Sequence, residues 1–92
     1  MDKAELLTHL NKIHTTSLGE DRIRKNLCLD VDDVVFWCVQ VIRDETSVIS
    51  RQGKNWYVRK GDCEITINAY SYTIITAHIL SDYRSVRHIA KK

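Results

Sequence analysis

The sequence contains no proline and only 3 glycines among its 92 residues. A chain so poor in both residues has no Gly/Ser linker and no Pro-rich segment. Its longest apolar run, at residues 34–39, covers six positions, whereas a membrane span needs about 20. The opening residues, MDKAELL, lack the long apolar stretch of a secretory signal. We therefore expect one small cytoplasmic domain with no membrane segment.

Cysteine is also scarce, and its spacing excludes two classes of small domain. Cys28, Cys38 and Cys63 are odd in number and form no C-x-x-C pair, so neither a disulfide framework nor a zinc site is expected. Glycine-rich phosphate loops, G-x-S-x-G and dinucleotide fingerprints are absent as well. We expect reduced, mostly buried thiols, no metal and no cofactor.

The charge that is present lies mainly at one end. Residues 81–92 carry four Lys/Arg and one Asp, a net charge of +3, whereas residues 1–80 carry ten Lys/Arg and eleven Asp/Glu. We therefore divide the chain into a domain at 1–80 and a basic tail at 81–92, which is read as either a short helix or an extended arm. Clustered Lys/Arg would also suit contacts to phosphates.

Helical patterns occupy the first half of the chain. Leucine and isoleucine recur at helical spacing through residues 2–13, which predicts a first helix. Ser17 and Glu20 fit a capping box that begins a second helix ending near Leu27. Aspartates at positions 30, 32 and 33 predict the start of a third helix, which is formed by the apolar segment VVFWCVQVIR that follows them.

From about residue 46 the hydrophobic period changes to two. Four alternating segments are separated by turn residues at 52–54, at 61–62 and near Ser71, which predicts an antiparallel meander. The expected fold is therefore α+β, with two or three N-terminal helices packed on one face of a four-stranded antiparallel sheet. The other face is left for solvent or a partner.

The alternation in the third strand assigns its side chains to the two faces. Cys63, Ile65, Ile67 and Ala69 are expected to face the core, and in the fourth strand Ile75, Ala77 and Ile79 form the more apolar row. The open face would then gather a polar and aromatic set: Tyr57, Arg59, Thr66, Asn68, Tyr70, Thr76 and His78, with Arg51 from the first strand. This set is either an ordinary solvated sheet face or a functional surface.

Four segments of the chain resemble a known family. IHTTSLGEDRIRKNL, DDVVFWC, GKNWYVRK and ITINAYSYTIITAH are together similar to a family of small bacterial proteins known as domain of unknown function 3781, over roughly residues 4–79. The resemblance implies relatives and no particular chemistry. More loosely, helices before a four-stranded sheet and an I-T-A segment at residues 75–77 are similar to the toxin nuclease superfamily of barnase, colicin and RelE-type ribonucleases.

The first functional hypothesis is a metal-independent ribonuclease. His14 and His78 would form its acid–base pair, because histidine titrates near neutral pH. Arg59, with Arg22 or Lys25, would hold the phosphate. The remaining contacts would be hydrogen bonds from Thr76 and Asn68 and base stacking on Tyr57 and Tyr70.

The second hypothesis is a non-enzymatic module that binds RNA, another protein or a second copy of the chain through the sheet face or an edge strand. Two sequence-based expectations separate the hypotheses. An acid–base mechanism needs His14 and His78 close together, whereas a binding module permits His14 to point elsewhere and Arg59 to pair with Glu64.

Overall fold

The structure, a computed structural model, describes residues 3–79 of the chain. Three helices, α1 (Lys3–Thr8), α2 (Ser17–Leu27) and α3 (Val34–Arg43), precede four strands, β1 (Val48–Gln52), β2 (Asn55–Lys60), β3 (Cys63–Asn68) and β4 (Ile74–Ile79). The predicted α+β fold is confirmed. The basic tail at 81–92 lies outside the described residues. No helix within 3–79 has both the length and the hydropathy of a membrane span.

The four strands form one antiparallel sheet in the order β1-β2-β3-β4. Two-residue turns close the first two hairpins between the pairs Gln52↔Asn55 and Lys60↔Cys63. The first central residue of each turn is a glycine with positive φ, +59° at Gly53 and +62° at Gly61. That is the type II′ geometry, whose twist matches the flanking strands. Both predicted turns are confirmed.

One face of the sheet supplies half of the core. Trp56, Val58, Ile65, Ile67 and Ala77 share this face through their cross-strand pairs and are completely buried. The helices cover them with the side chains of Leu6, Ile23, Val34, Cys38 and Ile42. The opposite face carries no helix of the described chain, as predicted.

The helix boundaries differ from the sequence-based prediction in the first two helices. The helix predicted over 2–13 ends at Thr8 and is followed by a separate 3-10 turn, Leu10–Lys12. The Thr8 hydroxyl donates to the Ala4 carbonyl (2.7 Å) and the His9 ring bonds the Glu5 carbonyl (2.9 Å). Side chains that bond the preceding turn in this way weaken continuation of a helix.

The second helix is capped one residue earlier than predicted. Thr16, in extended conformation, is the N-cap and accepts a hydrogen bond from Gly19 N–H (3.0 Å). The residue at N3 is thus a glycine, which has no side chain to complete the box, and Glu20 instead lies 3.7 Å from Arg24. The third helix starts as predicted, because Asp33 accepts from Phe36 N–H (2.9 Å).

The fourth strand contains an irregularity that the sequence pattern did not predict. Thr66 pairs with Thr76, but the next residue, Ile67, pairs with Ile74, so Ile75 is an extra residue in β4. This β-bulge reverses the alternation before Thr76. Ile75, predicted to belong to the apolar row, is consequently 48% exposed, and Ile74 occupies the core position beside it with 1% exposure.

Cys28 ends α2 in the left-handed conformation, with φ +56° and ψ +44°. A residue with a Cβ is strained there, and glycine relieves the strain. We expect Cys28→Gly to raise the free energy of unfolding by about 1 kcal/mol, measured by urea denaturation. Cys28→Ala removes the same thiol and keeps the Cβ, so it should give no gain. Equal stabilisation by both variants would contradict this explanation.

Candidate functional site

The open face of the sheet is polar, and several of its groups are already paired with one another. Glu64 accepts a hydrogen bond from Arg59 Nε (3.0 Å), and its other carboxylate oxygen lies 3.7 Å from His78 Nε2. Tyr57 accepts from Asn55 Nδ2 at 3.3 Å. A guanidinium held by a neighbouring carboxylate is less available to a phosphate, so the geometry favours the solvated-face interpretation here.

The two histidines assigned to an acid–base pair lie at opposite ends of β4. His14 forms an isolated parallel bridge with Thr73, immediately before the strand, whereas His78 is its second-last residue and pairs with Glu64. At about 3.3 Å of rise per residue, the two positions are roughly 15 Å apart. A general acid and base must each reach the reacting phosphate within hydrogen-bond distance. The pairing of His14 with His78 is therefore not available in this geometry.

The other predicted residues are dispersed as well. Arg22 and Lys25 are exposed on α2, which packs against β4 from the helix layer, so they lie away from Arg59 on the open face. Thr76 is opposite Thr66 on that face. Arg51 was expected there too, but its cross-strand partner is the core residue Trp56, and the prediction for Arg51 is wrong.

A different cluster forms at the connection between β3 and β4, residues 69–73. Asn68 organises this turn, because its Oδ1 accepts from the N–H groups of Tyr70 and Ser71 (both 2.9 Å) and from Ser71 Oγ (3.2 Å). Tyr72 adopts a positive φ of 62°, an unusual conformation for a bulky residue. Backbone strain of this kind persists where surrounding contacts enforce it and is frequent at functional sites.

His14 completes the cluster from the other end of the sequence. Its main chain donates to the Tyr72 carbonyl (3.2 Å) and accepts from Ile74 N–H (2.8 Å). Its Nδ1 lies 2.8 Å from the Lys12 carbonyl and its Nε2 lies 3.0 Å from Thr73 Oγ1. A carbonyl oxygen only accepts, so Nδ1 carries a proton, and the contact at Nε2 fits either a neutral ring that accepts from the Thr73 hydroxyl or a charged ring that donates to it.

A chain of hydroxyl groups extends this contact. Thr73 Oγ1 lies 2.8 Å from Ser71 Oγ, which in turn reaches Asn68 Oδ1. A base whose second nitrogen is fixed by a carbonyl and whose free nitrogen faces a hydroxyl is the arrangement that general-base catalysis uses. We call His14, Asn68, Tyr70, Ser71 and Thr73 the connection site.

Cationic and aromatic side chains surround the connection site. The Arg51 guanidinium carbon lies 5.3 Å from the Trp56 ring centre and 5.7 Å from that of Tyr70, and Lys12 Nζ lies 5.9 Å from the Tyr72 ring. The β1–β2 turn is attached here through Ala69 N–H, which donates to the Lys54 carbonyl (2.7 Å). His9 contacts Tyr72 at a ring-centre distance of 5.5 Å.

The connection site contains three of the nine residues that the sequence predicted, His14, Asn68 and Tyr70. Sequence reasoning missed Ser71 and Thr73, although an Asn three residues before a Ser is a recognisable turn signature. The hydrogen bond that Asn68 was predicted to donate to substrate would come from its amide nitrogen, and the turn occupies the amide oxygen. Within residues 3–79 no three His, Cys, Asp or Glu side chains gather to hold a metal ion.

The sequence model of a family described as "Protein of unknown function (DUF3781)" matches residues 7–78. The chain belongs to this family. The DUF3781 match includes every residue of the connection site. No curated protein and no solved structure matches the chain, so the looser similarity to toxin nucleases stays a prediction.

A second concave region of this DUF3781 domain lies between α3 and the β2–β3 turn, with a volume of about 630 Å³ and a lining that includes Trp37, Val41 and Cys63. Lys60 Nζ and Asp44 Oδ2 meet at its edge (2.6 Å). This lysine, with a smaller contribution from Thr46, holds the pKa of the Asp44 carboxyl far below its usual range. This ion pair joins the end of β2 to the C-terminal end of α3.

Two thiols lie near this cavity, and burial suppresses the ionisation of both. Burial raises the pKa of Cys38 to about 12, with a smaller contribution from Cys63, and it also raises the pKa of Cys63. The pKa of each thiol is thus higher in the folded state than in the unfolded state. The free energy of unfolding therefore has its full value at pH below the unfolded thiol pKa, near 8.5. It decreases as the pH rises from there towards the folded-state pKa.

We therefore expect the free energy of unfolding to fall as pH increases from about 9 to about 12. Cys38→Ala should lower stability at pH 7, because it leaves a cavity, and should also flatten the alkaline decrease. Cys28→Ala is the matched control, since Cys28 is exposed, and should leave the decrease unchanged. Denaturant titrations at a series of pH values measure both slopes, and parallel slopes for all three proteins would contradict the assignment.

The role of Asn68 can be tested in the same way. Asn68→Ala removes the acceptor of three hydrogen bonds and should lower the free energy of unfolding by roughly 1–3 kcal/mol. Asn68→Asp keeps an acceptor oxygen and should lose less. If the two variants are equally stable, the amide oxygen does not organise the connection.

Proposed function

We propose that the domain binds single-stranded RNA at the connection site and cleaves it without a metal ion, with His14 as the general base. The observation that carries the proposal is the orientation of the His14 ring, whose Nδ1 is held by the Lys12 carbonyl (2.8 Å) and whose Nε2 faces the Thr73 hydroxyl at 3.0 Å. His14 is retained from the sequence-based hypothesis, whereas His78, Arg59 and Thr76 are not part of the proposed site.

The surroundings of the site suit an RNA strand. Tyr70 is 71% exposed and lies against the Arg51 guanidinium, so its outer ring face is available to stack a base. Lys12 and Lys54 are exposed near the same turn and supply positive charge for the phosphates.

The chemistry requires only groups that RNA and the site contain. In this mechanism, His14 Nε2 accepts the proton of a ribose 2′-OH, and the 2′ oxygen attacks the adjacent phosphorus. The bond from phosphorus to the 5′ oxygen breaks, which gives a 2′,3′-cyclic phosphate, and the leaving oxygen takes a proton from the imidazolium or from water. Thr73, released from Nε2, donates its hydroxyl to a phosphate oxygen.

The test is cleavage of a single-stranded RNA oligonucleotide in the presence of a chelator. His14→Gln should reduce the rate about 100-fold or more, the range typical of a lost general base. Thr73→Val keeps the shape of the side chain and removes the hydroxyl, so it should reduce the rate about tenfold. His78→Ala, on the open face, is the control and should cleave like the wild type.

A DNA strand of the same sequence should bind and stay intact, because it lacks the 2′-OH. Equal cleavage by wild type and His14→Gln would indicate a contaminating nuclease and would overturn the catalytic assignment. Binding of RNA with no cleavage by any variant would leave a binding module, and absence of binding would remove the function altogether.

A further inference from the structure

The two edges of the sheet are treated differently by the rest of the chain. On β4, several outward peptide groups are bonded: Ile74 N–H donates to the His14 carbonyl (2.8 Å), and the Ile74 carbonyl accepts from Thr15 Oγ1 (3.1 Å). The Ala77 carbonyl accepts from Asn26 Nδ2 of α2 (3.2 Å). These contacts block the addition of another strand at Ile74 and at Ala77.

The β1 edge is open along the described chain. Since Gln52 and Asn55 close a two-residue hairpin, Gln52, Ser50 and Val48 bond to β2, and the peptide groups of Ile49 and Arg51 point outward. No hydrogen bond from residues 3–79 reaches those outward groups. An unpaired edge of this kind is a template for a further strand.

The usual protection of such an edge is also missing. Natural edge strands carry prolines or outward charges that discourage pairing. The one charged residue of β1, Arg51, folds back over the Trp56 ring and donates from Nε to the Gly53 carbonyl (2.9 Å). The side chains beside the edge are Val48, 66% exposed, and the polar Ser50 and Gln52.

We propose that β1 pairs antiparallel with β1 of a second copy of the chain, about a two-fold axis at Ser50. In this register Ile49 lies opposite Arg51 of the second copy and Arg51 opposite Ile49, so all outward peptide groups of both residues are satisfied on both copies. Shifting the axis to Arg51 would place two guanidinium groups opposite each other. In the register about Ser50 the strand is thus complementary to itself, and no like charges meet.

The same register joins two surface grooves. A concavity of about 420 Å³ on the open face reaches the β1 edge, lined by Val48, Ser50, Gln52, Tyr57, Arg59 and Glu64. Pairing about Ser50 places each exposed Val48 beside Gln52 of the other copy, whose methylene groups cover it. The result is an eight-stranded sheet with one continuous groove across the axis.

A cysteine at the axis tests the register directly. In a Cys28→Ser background, which removes the exposed native thiol, Ser50→Cys should form an intermolecular disulfide on mild oxidation, because opposed residues at the axis lie about 4.5 Å apart between Cα atoms. Gln52→Cys is the matched control. Its two copies would lie about 13 Å apart, beyond disulfide reach, so it should stay monomeric on a non-reducing gel.

Sedimentation of the uncross-linked protein tests the hydrogen bonds. Arg51→Pro removes an outward N–H that has no partner within residues 3–79 and should weaken the dimer roughly tenfold or more. Arg51→Ala keeps the N–H and should dimerise more strongly than the proline variant. A wild-type protein that is monomeric at its highest soluble concentration, or equal cross-linking of the Ser50→Cys and Gln52→Cys variants, would overturn the proposal.

Discussion

The main-chain bridge between His14 and the start of β4 is the contact on which the arrangement of this domain depends. It ties the segment between α1 and α2 to the sheet, with one hydrogen bond to Tyr72 and one from Ile74. The bond from Ile74 N–H satisfies an outward peptide group of the last strand, so the bridge also helps to close that edge. The imidazole of His14 reaches Thr73 only because its backbone is held there.

The bulge at Ile75 has a comparable effect within the sheet. With strict alternation, Ile75 would share the core face with Ala77, and Ile74 would lie on the opposite face. The extra residue lets the two halves of β4 each present an apolar side chain inward. The cost is one exposed isoleucine, and the gain is that residues 69–73 can turn towards His14 while the rest of the strand pairs regularly with β3.

The features that the sequence predicted are those that local chemistry determines. The two glycine turns and the Asp33 cap follow from residue types at fixed spacing, and the structure has them as expected. In β3 the pairing places Ile65 and Ile67 on the core face as expected, but Thr66 on the other face is buried as well, with 7% exposure. The face of Arg51 follows from the two-residue β1–β2 turn, which places it opposite Trp56, whereas no residue pattern within β4 indicates its bulge. The meeting of His14 with Thr73 depends on the bridge, and no periodic pattern in either segment indicates that they pair. Glu64 similarly contacts both Arg59 and His78. The sequences of the separate strands do not indicate these contacts.

The short turns also determine the order in which this chain can fold. The first two hairpins each close through two residues, so the pairs β1–β2 and β2–β3 form between segments that are near neighbours in sequence. The bridge, in contrast, joins residues 59 positions apart. Closing a loop of that length costs about 2 kcal/mol more entropy than closing one of a few residues. We therefore expect the meander to form early and the N-terminal helices to dock on it afterwards. His14 and Thr73 come together only in that last step, so the connection site is complete only in the fully folded chain.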